Sequence, residues 1–388
     1  MQIIKRGIIL VSFLLVIVAC IDRYYLDEQI TPSSKLVIDA TIKNDTSAQL
    51  IKLSTSSSPD NPKYVPYSNC KVIVVDDKGQ EYVFEESFNQ EGYYYGVIDK
   101  ANLMVGAKFQ LSIETPNEEN YVSEFEEMLP APEIDSLYYD LTSIPTADPL
   151  INIDGVQFYL DFYANSNFPK NYRFELSETY EYHSTWPMRS YLDENGTFVN
   201  EPADYSKFVC YGGALIPDIF ILSTSNLTEN KYIKFPLHFV NDHTQRLLYN
   251  YSILLKQLTL SESAYNYWDI MKSNNQEAGG LYSVQPAAVK GNVFNVDNPE
   301  VRALGYFGVS SVKELRLTIK GGIEELSFSD VPYCMAFVPE VGYPPDPRPL
   351  YLAYTKDKYG NLVLGYAETE CFDCTLLGGS VDKPWFFE

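Results

Sequence analysis

Histidine is scarce in this sequence, with three residues among 388. A zinc protease would place two histidines and a glutamate on one helix as HExxH, and the sequence holds no such pattern. His238 and His243 lie in a Phe- and Val-rich segment, and His183 stands alone. This distribution favours hydrogen-bonded or solvent-facing side chains over metal ligands, so we predict no metal site.

Other catalytic signatures are also missing from the sequence. There is no GxSxG nucleophile elbow, no phosphate-binding P-loop and no GxGxxG dinucleotide motif. Aspartate and glutamate are abundant, but the pair that a glycosidase needs is defined by its spatial separation, which a sequence does not give. We therefore predict a protein that is not an enzyme and needs no cofactor. A surface hydrolase acting on glycans is the alternative.

Basic residues are few relative to acidic ones. Lys and Arg number 29 and Asp and Glu number 52, which gives a formal net charge of −23 at pH 7. A charge of this sign repels nucleic acid and anionic lipid headgroups, so neither is an expected partner.

Long apolar runs are lacking too, apart from one at the start of the chain. Residues 8–18 are apolar and follow two basic residues, but a membrane-spanning helix needs about 20. A basic start, a short apolar core and a small residue before the cleavage point make up a signal peptide. Ile17-Val18-Ala19-Cys20 resembles the bacterial lipobox. We predict a signal peptide over residues 1–19 and acylation of Cys20, which would anchor the protein in the lipid bilayer; the alternative is an ordinary signal peptide with an incidental cysteine.

Residues 20–34 are predicted to be a polar, lipidated tether. Asp22, Asp27 and Glu28 follow the cysteine at short distances. Acidic residues in this place resemble the export signal that sends some Bacteroidota lipoproteins to the outer face of the outer membrane. We therefore predict an outer-membrane protein that is exposed at the cell surface, with a simple solvated linker as the alternative.

Five cysteines remain after the acylated one. Cys70 and Cys334 lie in apolar, strand-like runs and are interpreted as buried small hydrophobes. Cys371 and Cys374 form a lone CxxC, without the second ligand pair of a zinc site or the strand-to-helix setting of a redox motif. We interpret it as a structural disulfide, with Cys210 as a candidate partner. The odd count leaves at least one thiol free.

Residues 35–129 are predicted to form an immunoglobulin-like or prealbumin-like β-sandwich, because short strands recur there at regular spacing. The predicted strands cover residues 36–42, 49–54, 70–75, 81–85, 93–98, 108–113 and 121–128. DDKG at residues 76–79 predicts a hairpin turn. A proline-containing segment, 129–132, marks the predicted domain boundary.

Residues 133–388 are predicted to form a larger, antiparallel β domain. Apolar and polar residues alternate over 172–176, which indicates a half-buried strand. Segment 261–276 differs, because its apolar residues have a helical period. They lie on one helical face: Ala264, Tyr267, Trp268 and Met271. We predict one amphipathic helix here, ended by Gly279-Gly280.

Tyrosine is frequent, with 32 residues. Two clusters, Tyr93-Tyr94-Tyr95 and Tyr180/Tyr182/Trp186, suit either a stacking platform for sugars or peptides, or packing inside a β-sandwich. Strand alternation turns about half of such side chains towards the core, so packing is the favoured interpretation. The helical face that carries Trp268 also has two interpretations, a docking surface for a membrane barrel or packing against the β domain. We favour packing.

Several motifs look like the central signature of one family. They are SAYNYW (263–268), GGLY (279–282), GNV (291–293), NP (298–299) and LGYFG (304–308). The ending CFDCT (371–375) with KPWF (383–386) is similar to the closing motif, although the family pattern has Pro-Asp-Phe-Trp where this chain has Pro384-Trp385-Phe386-Phe387. The chain thus resembles, over nearly its whole mature length, Bacteroidota lipoproteins catalogued as a domain of unknown function (forty-two forty-nine).

The resemblance implies an envelope lipoprotein that is usually encoded beside a TonB-dependent outer-membrane receptor. By analogy with the starch-utilisation receptor–lipoprotein pairs, such a protein would lie over or beside the barrel and help to capture or gate a substrate. We therefore expect an accessory subunit of a TonB-dependent transporter. A stand-alone adhesin or structural surface protein is a further hypothesis.

Overall fold

The fold is known from a computed structural model, which describes residues 34–57, 63–148, 152–277, 289–328, 334–345 and 347–388. Those residues form many β-strands and one α-helix, so the predicted mainly β fold is confirmed. No helix among them is long and apolar enough to cross a membrane. The predicted signal peptide, Cys20 and nearly all of the tether lie outside the described residues.

The strands have the following bounds in chain order: β1 Leu36–Lys43, β2 Ala48–Thr55, β3 Val65–Pro66, β4 Lys71–Asp76, β5 Glu81–Ser87, β6 Gln90–Val97, β7 Lys108–Glu114, β8 Asn120–Ser123, β9 Glu126–Glu127, β10 Ser136–Pro145, β11 Asn152–Tyr163, β12 Asn171–His183, β13 Met188–Leu192, β14 Phe198–Asp204, β15 Val209–Ser223, β16 Lys231–Asn241, β17 Tyr251–Thr259, β18 Val293–Asn295, β19 Leu304–Ser310, β20 Val312–Ile319, β21 Leu350–Lys356 and β22 Leu362–Tyr366. The helix, α1, covers Glu262–Glu277, and short 3-10 turns lie at Gln245–Leu247, Thr369–Cys371, Cys374–Leu377 and Trp385–Phe387.

The first sandwich is one long sheet in the order β18-β8-β7-β4-β5-β6-β2-β1-β19, with β3 and β9 attached at its sides. Its strands alternate strictly: in β1, every second residue from Leu36 is buried. These inward side chains fill one continuous core. The predicted hairpin joins β4 to β5: Gly79 has φ +85°, and the Asp76 carboxylate accepts backbone hydrogen bonds from Lys78 and Gln80.

The predicted domain boundary needs correction, because two strands from beyond residue 290 complete the first sandwich. β19 runs parallel to β1, with Val37 opposite Leu304 and Lys43 opposite Ser310, and β18 pairs with β8. Phe307 of β19 is fully buried in the same core. The predicted domains, 35–129 and 133–388, therefore do not coincide with the two sandwiches of the fold. Periodicity identifies a strand, but it does not show which distant strand pairs with it.

The second sandwich consists of two facing sheets, β10-β11-β16 and β15-β12-β17-β20. The alternating segment at residues 172–176 lies in β12, and Tyr172, Phe174 and Leu176 are buried in the core between the sheets. A third, smaller sheet has the order β14-β13-β21-β22.

The helix α1 lies between the two sandwiches, within one residue of the predicted bounds at each end. Ala264 and Tyr267 are buried against Tyr306 of β19, while Trp268 stacks on the guanidinium of Arg173 from β12, 3.7 Å from the ring centroid. The helical face therefore packs, as favoured from the sequence. Gly279-Gly280, the predicted end, lies outside the described residues.

Ion pairs connect the far end of β1 to the second sandwich. Lys43 lies 2.6 Å from Glu175 of β12, and Asp45 lies 2.6 Å from Lys256 of β17. Burial opposes ionisation of Glu175, but the charges of Lys43 and Arg173 lower its pKa. The second sandwich is therefore attached to the first at the end of β1, opposite the end at which the chain enters.

Candidate functional site

The cysteines of the predicted CxxC pair with two different distant residues. Cys374 is bonded to Cys210 of β15, and Cys371 is bonded to Cys334. The interpretation of Cys334 as an unpaired small hydrophobe is therefore wrong, because the fold brings it beside Cys371. Among the described cysteines Cys70 is free and half-buried, and burial raises the pKa of its thiol.

The two disulfides fix the C-terminal segment to the rest of the molecule. Tyr182 of β12 is buried beside the first disulfide, and its hydroxyl donates to the carbonyl of Cys374 at 2.9 Å. Asp373, between the bonded cysteines, lies 2.6 Å from Lys207. Because Cys371 is bonded to Cys334 beside the small sheet and Cys374 to the second sandwich, the CxxC joins these two parts covalently.

Packing accounts for much of both tyrosine clusters. Tyr94 is fully buried and its hydroxyl donates to the carbonyl of Tyr67 at 2.9 Å, while Trp186 packs on Phe372 with ring centroids 5.4 Å apart. Tyr95 is exposed, and Tyr180 lines a cavity of about 270 Å³. The structure thus divides each cluster between core and surface, as strand alternation requires.

A cavity of about 580 Å³ forms a groove between the two sheets of the second sandwich. Its walls are the edge strands β15 and β16, and α1 contributes Lys272. Pro217 and Pro236 interrupt these edges and remove backbone donors, which protects them from pairing with another strand. Asp218, His238 and Lys272 supply polar groups to a wall that is about equally polar and apolar. The groove has the size of a small-molecule site.

A buried polar cluster lies behind the groove, centred on Glu178 of β12. Its carboxylate accepts hydrogen bonds from Arg246 at 2.7 Å and from the hydroxyl of the fully buried Tyr251 at 2.8 Å. Nε2 of His238 is 3.9 Å from the same carboxylate and has no hydrogen-bond partner among the described residues. Burial lowers the pKa of His238, so its imidazole is neutral at pH 7.

The histidines thus differ from the sequence-based expectation in one respect. Nε2 of His183 forms a hydrogen bond with the Glu181 carboxylate at 2.7 Å, and its ring stacks on Tyr249. His238 is largely buried, and its Nε2 has no hydrogen-bond partner among the described residues. No group of three or more His, Cys, Asp or Glu side chains in the described part of the chain is arranged to hold a metal ion.

A second buried carboxylate holds the start of α1 against the first sandwich. Glu126 of β9 accepts hydrogen bonds from the hydroxyls of Tyr306, Ser261 and Ser263 and from the amide of Asn292. Ser261 also accepts a bond from the backbone N–H of Ala264 as the helix cap. Burial raises the pKa of Glu126, and these donors only partly offset the effect.

Replacing Glu126 with glutamine is expected to change how stability depends on pH. Because the folded-state pKa is raised, the folded protein binds this proton more tightly than the unfolded chain does. The contribution of Glu126 is fully present below about pH 4.5, its ordinary pKa, and is lost as pH rises through the folded-state pKa. The free energy of unfolding of Glu126→Gln should therefore increase relative to wild type from pH 4.5 towards neutrality, measured by urea unfolding.

Glu127→Gln is the matched control, because Glu127 is the next residue and forms only a surface ion pair with Lys108. Because an exposed ion pair contributes little to stability, any difference from wild type should be small over the same range. A constant difference for Glu126→Gln would contradict the assignment of a buried, reluctantly ionised carboxylate.

An exposed apolar face lies on the small sheet. Tyr354 of β21 is directly opposite Leu364 of β22, so Tyr354 and Leu362 point to the same side. Phe337 bridges to Tyr366 at the edge of β22, with ring centroids 6.0 Å apart. The exposed fractions are 52% for Phe337, 62% for Tyr354 and 69% for Leu362. The sequence did not indicate this face, because exposure depends on what the rest of the chain leaves uncovered.

These residues define a mainly β protein of two sandwiches and a smaller sheet, with an open groove and an exposed apolar face. The family model described as a domain of unknown function, DUF4249, matches residues 21–316. The chain belongs to that family, which confirms the family assignment made from the motifs between residues 263 and 308.

No curated protein matches the chain. Among solved structures it is similar to a DUF4785 family protein from Legionella pneumophila, at 11% identity and a TM-score of 0.16, over 57% of this chain and 51% of that one. The chain spans about half the length of that protein, and at so low a TM-score the similarity supports no conclusion about fold or function.

Proposed function

We propose that this protein is a lipid-anchored protein of the outer membrane, exposed at the cell surface. In this proposal it binds a TonB-dependent receptor as an accessory subunit in nutrient capture or uptake, without bond chemistry. The resemblance of its motifs to Bacteroidota lipoproteins encoded beside such receptors supports this class of partner.

The observation that carries the binding role is the exposed apolar face of the small sheet. Three large side chains, Phe337, Tyr354 and Leu362, are each more than half exposed on one side, although the chain as a whole is strongly acidic. Clustered apolar side chains of this kind mark interaction surfaces more often than isolated ones do. Aromatic residues are also enriched in protein–protein interfaces, so a protein partner suits this face.

The disulfides support location outside the cytoplasm. Cys210–Cys374 and Cys334–Cys371 bring together residues far apart in the chain. Such structural disulfides form and persist in oxidising compartments, which agrees with the signal peptide predicted for residues 1–19.

A surface hydrolase receives less support from the described residues. A catalytic acid usually has a raised pKa and lies in an open cleft. Glu126 is the described carboxylate whose pKa is raised, but it is buried against α1 and does not line the groove.

The direct test is recovery of the tagged, lipidated protein from native outer membranes in mild detergent, followed by mass spectrometry. A TonB-dependent barrel in stoichiometric amount is the expected result. Recovery of the lipoprotein alone, from membranes in which the receptor is abundant, would contradict the accessory role and favour an adhesin.

The apolar face can be tested in the same experiment. The double variant Tyr354→Ser/Leu362→Ser should reduce the recovered receptor about tenfold or more, since central apolar anchors each contribute about 1–2 kcal/mol or more to an interface. Leu215→Ser is the matched control, because Leu215 is 81% exposed on β15, outside this face. Equal recovery with all three proteins would exclude the small sheet as the docking surface.

A further inference from the structure

We call the end of the first sandwich at which the chain enters β1 the entry end. β1 begins there at Leu36. β2 is antiparallel to β1, with Leu36 opposite Thr55, so β2 finishes at the entry end. β3 pairs with that last part of β2. β6 is antiparallel to β2, and its pairing of Tyr93 with Lys52 places the β5–β6 turn at the same end.

Exposed apolar side chains from several strands lie at the entry end. Phe88 is fully exposed in the β5–β6 turn, and Tyr64 and Val65 are exposed beside the end of β2. Leu304, at the start of β19, is opposite Val37 of β1 and is exposed as well. Val296 is exposed where its backbone N–H binds the carbonyl of Asn120, at the start of β8. The apolar residues therefore come from several strands but share one end.

The chain itself indicates what covers this end. Leu36 follows Cys20 after fifteen intervening residues, 21–35. Even fully extended, that length of chain reaches at most about 55 Å. If Cys20 is acylated, the entry end is the part of the sandwich that the anchor holds nearest to the bilayer.

The charges at the entry end argue for an apolar rather than an electrostatic contact. Exposed charges of both signs surround it, including Lys63, Glu118 and Asp297, and the chain carries a large negative net charge. Anionic headgroups would therefore not be attracted. Tyrosine, such as Tyr64, favours the interfacial zone of a bilayer, between headgroups and acyl chains, and an apolar side chain such as that of Phe88 can enter the same zone.

We propose that the entry end rests on the lipid surface that holds acylated Cys20, with Phe88, Tyr64 and Val65 entering the interfacial zone. This second contact orients the molecule: the first sandwich lies at the membrane, and the second, attached through Lys43 and Asp45 at the opposite end of β1, lies farther out. The proposal rests on the lipidation included in the proposed function, but not on the receptor.

The test uses full-length, lipidated protein in vesicles of phosphatidylethanolamine and phosphatidylcholine, with a tryptophan placed at the entry end by Phe88→Trp. Emission is measured with and without lipids brominated on their acyl chains, and the signal of the wild-type protein, which has three tryptophans, is subtracted. Met104→Trp is the matched control, because Met104 is 64% exposed in the β6–β7 loop at the opposite end of the sandwich.

We expect the added tryptophan at position 88 to be quenched at least twofold by the brominated lipids, and the one at position 104 not to be quenched. The quenching should persist at high salt, since apolar insertion is not screened. If the protein floats with the vesicles but the brominated lipids quench the tryptophans at positions 88 and 104 to the same extent, the proposed contact is overturned and the lipid anchor remains intact. Protein that does not float with the vesicles would overturn the lipidation and this proposal together.

Discussion

Replacing Cys20 with serine is expected to remove the protein from the membrane fraction. A thiol is required for acylation, and several acyl chains give stable anchoring where one gives only marginal binding. We expect the membrane-bound share to fall about tenfold or more, measured by fractionation, with loss of incorporated labelled fatty acid.

Cys70→Ser is the control for this change. Cys70 is the free, half-buried thiol of the first sandwich, and its replacement should leave both acylation and membrane location unchanged. If Cys20→Ser protein still carried the label and stayed with the membranes, the lipobox assignment would be refuted.

Removal of the Cys210–Cys374 disulfide is expected to lower the free energy of unfolding by about 2–5 kcal/mol. The two cysteines are separated by 164 residues in sequence, so the bond restricts a very large loop in the unfolded chain. Both cysteines are fully buried, and Tyr182 and the C-terminal segment depend on their position. The double variant Cys210→Ser/Cys374→Ser should therefore unfold at a clearly lower urea concentration.

The second disulfide provides an internal comparison. Cys334 and Cys371 are separated by 37 residues, and loop-closure entropy predicts a loss smaller by about 1 kcal/mol for Cys334→Ser/Cys371→Ser. Urea midpoints that did not move in either variant, or on addition of reductant to the wild type, would show that the bonds do not stabilise the fold.

Local sequence patterns were sufficient to locate many of the secondary-structure elements. The first predicted strand, 36–42, lies within β1 at Leu36–Lys43, and the predicted helix, 261–276, is displaced by one residue from α1 at Glu262–Glu277. Both predictions rest on the period with which apolar side chains repeat. That period is a property of neighbouring residues, so it can be read directly from the sequence.

Long-range relations were not accessible in the same way. Nothing in the sequence near Leu304 shows that it pairs with Val37, and nothing near Cys334 shows that Cys371 is its partner. The groove beside His238 is also formed by separate edge strands and a helix. The candidate sites are set by these tertiary relations, which is why the sequence indicated the family but neither the groove nor the exposed face.

The parallel pairing of β1 with β19 bears on the order of folding. The partner of β1 lies in the last quarter of the chain, so the first sandwich has an unpaired edge until most of the polypeptide has emerged. Contacts between such distant segments slow folding, and an incomplete sheet edge is prone to aggregate. If the chain is exported as proposed, its first sandwich would close only after most of the chain has crossed, in the compartment where its disulfides form.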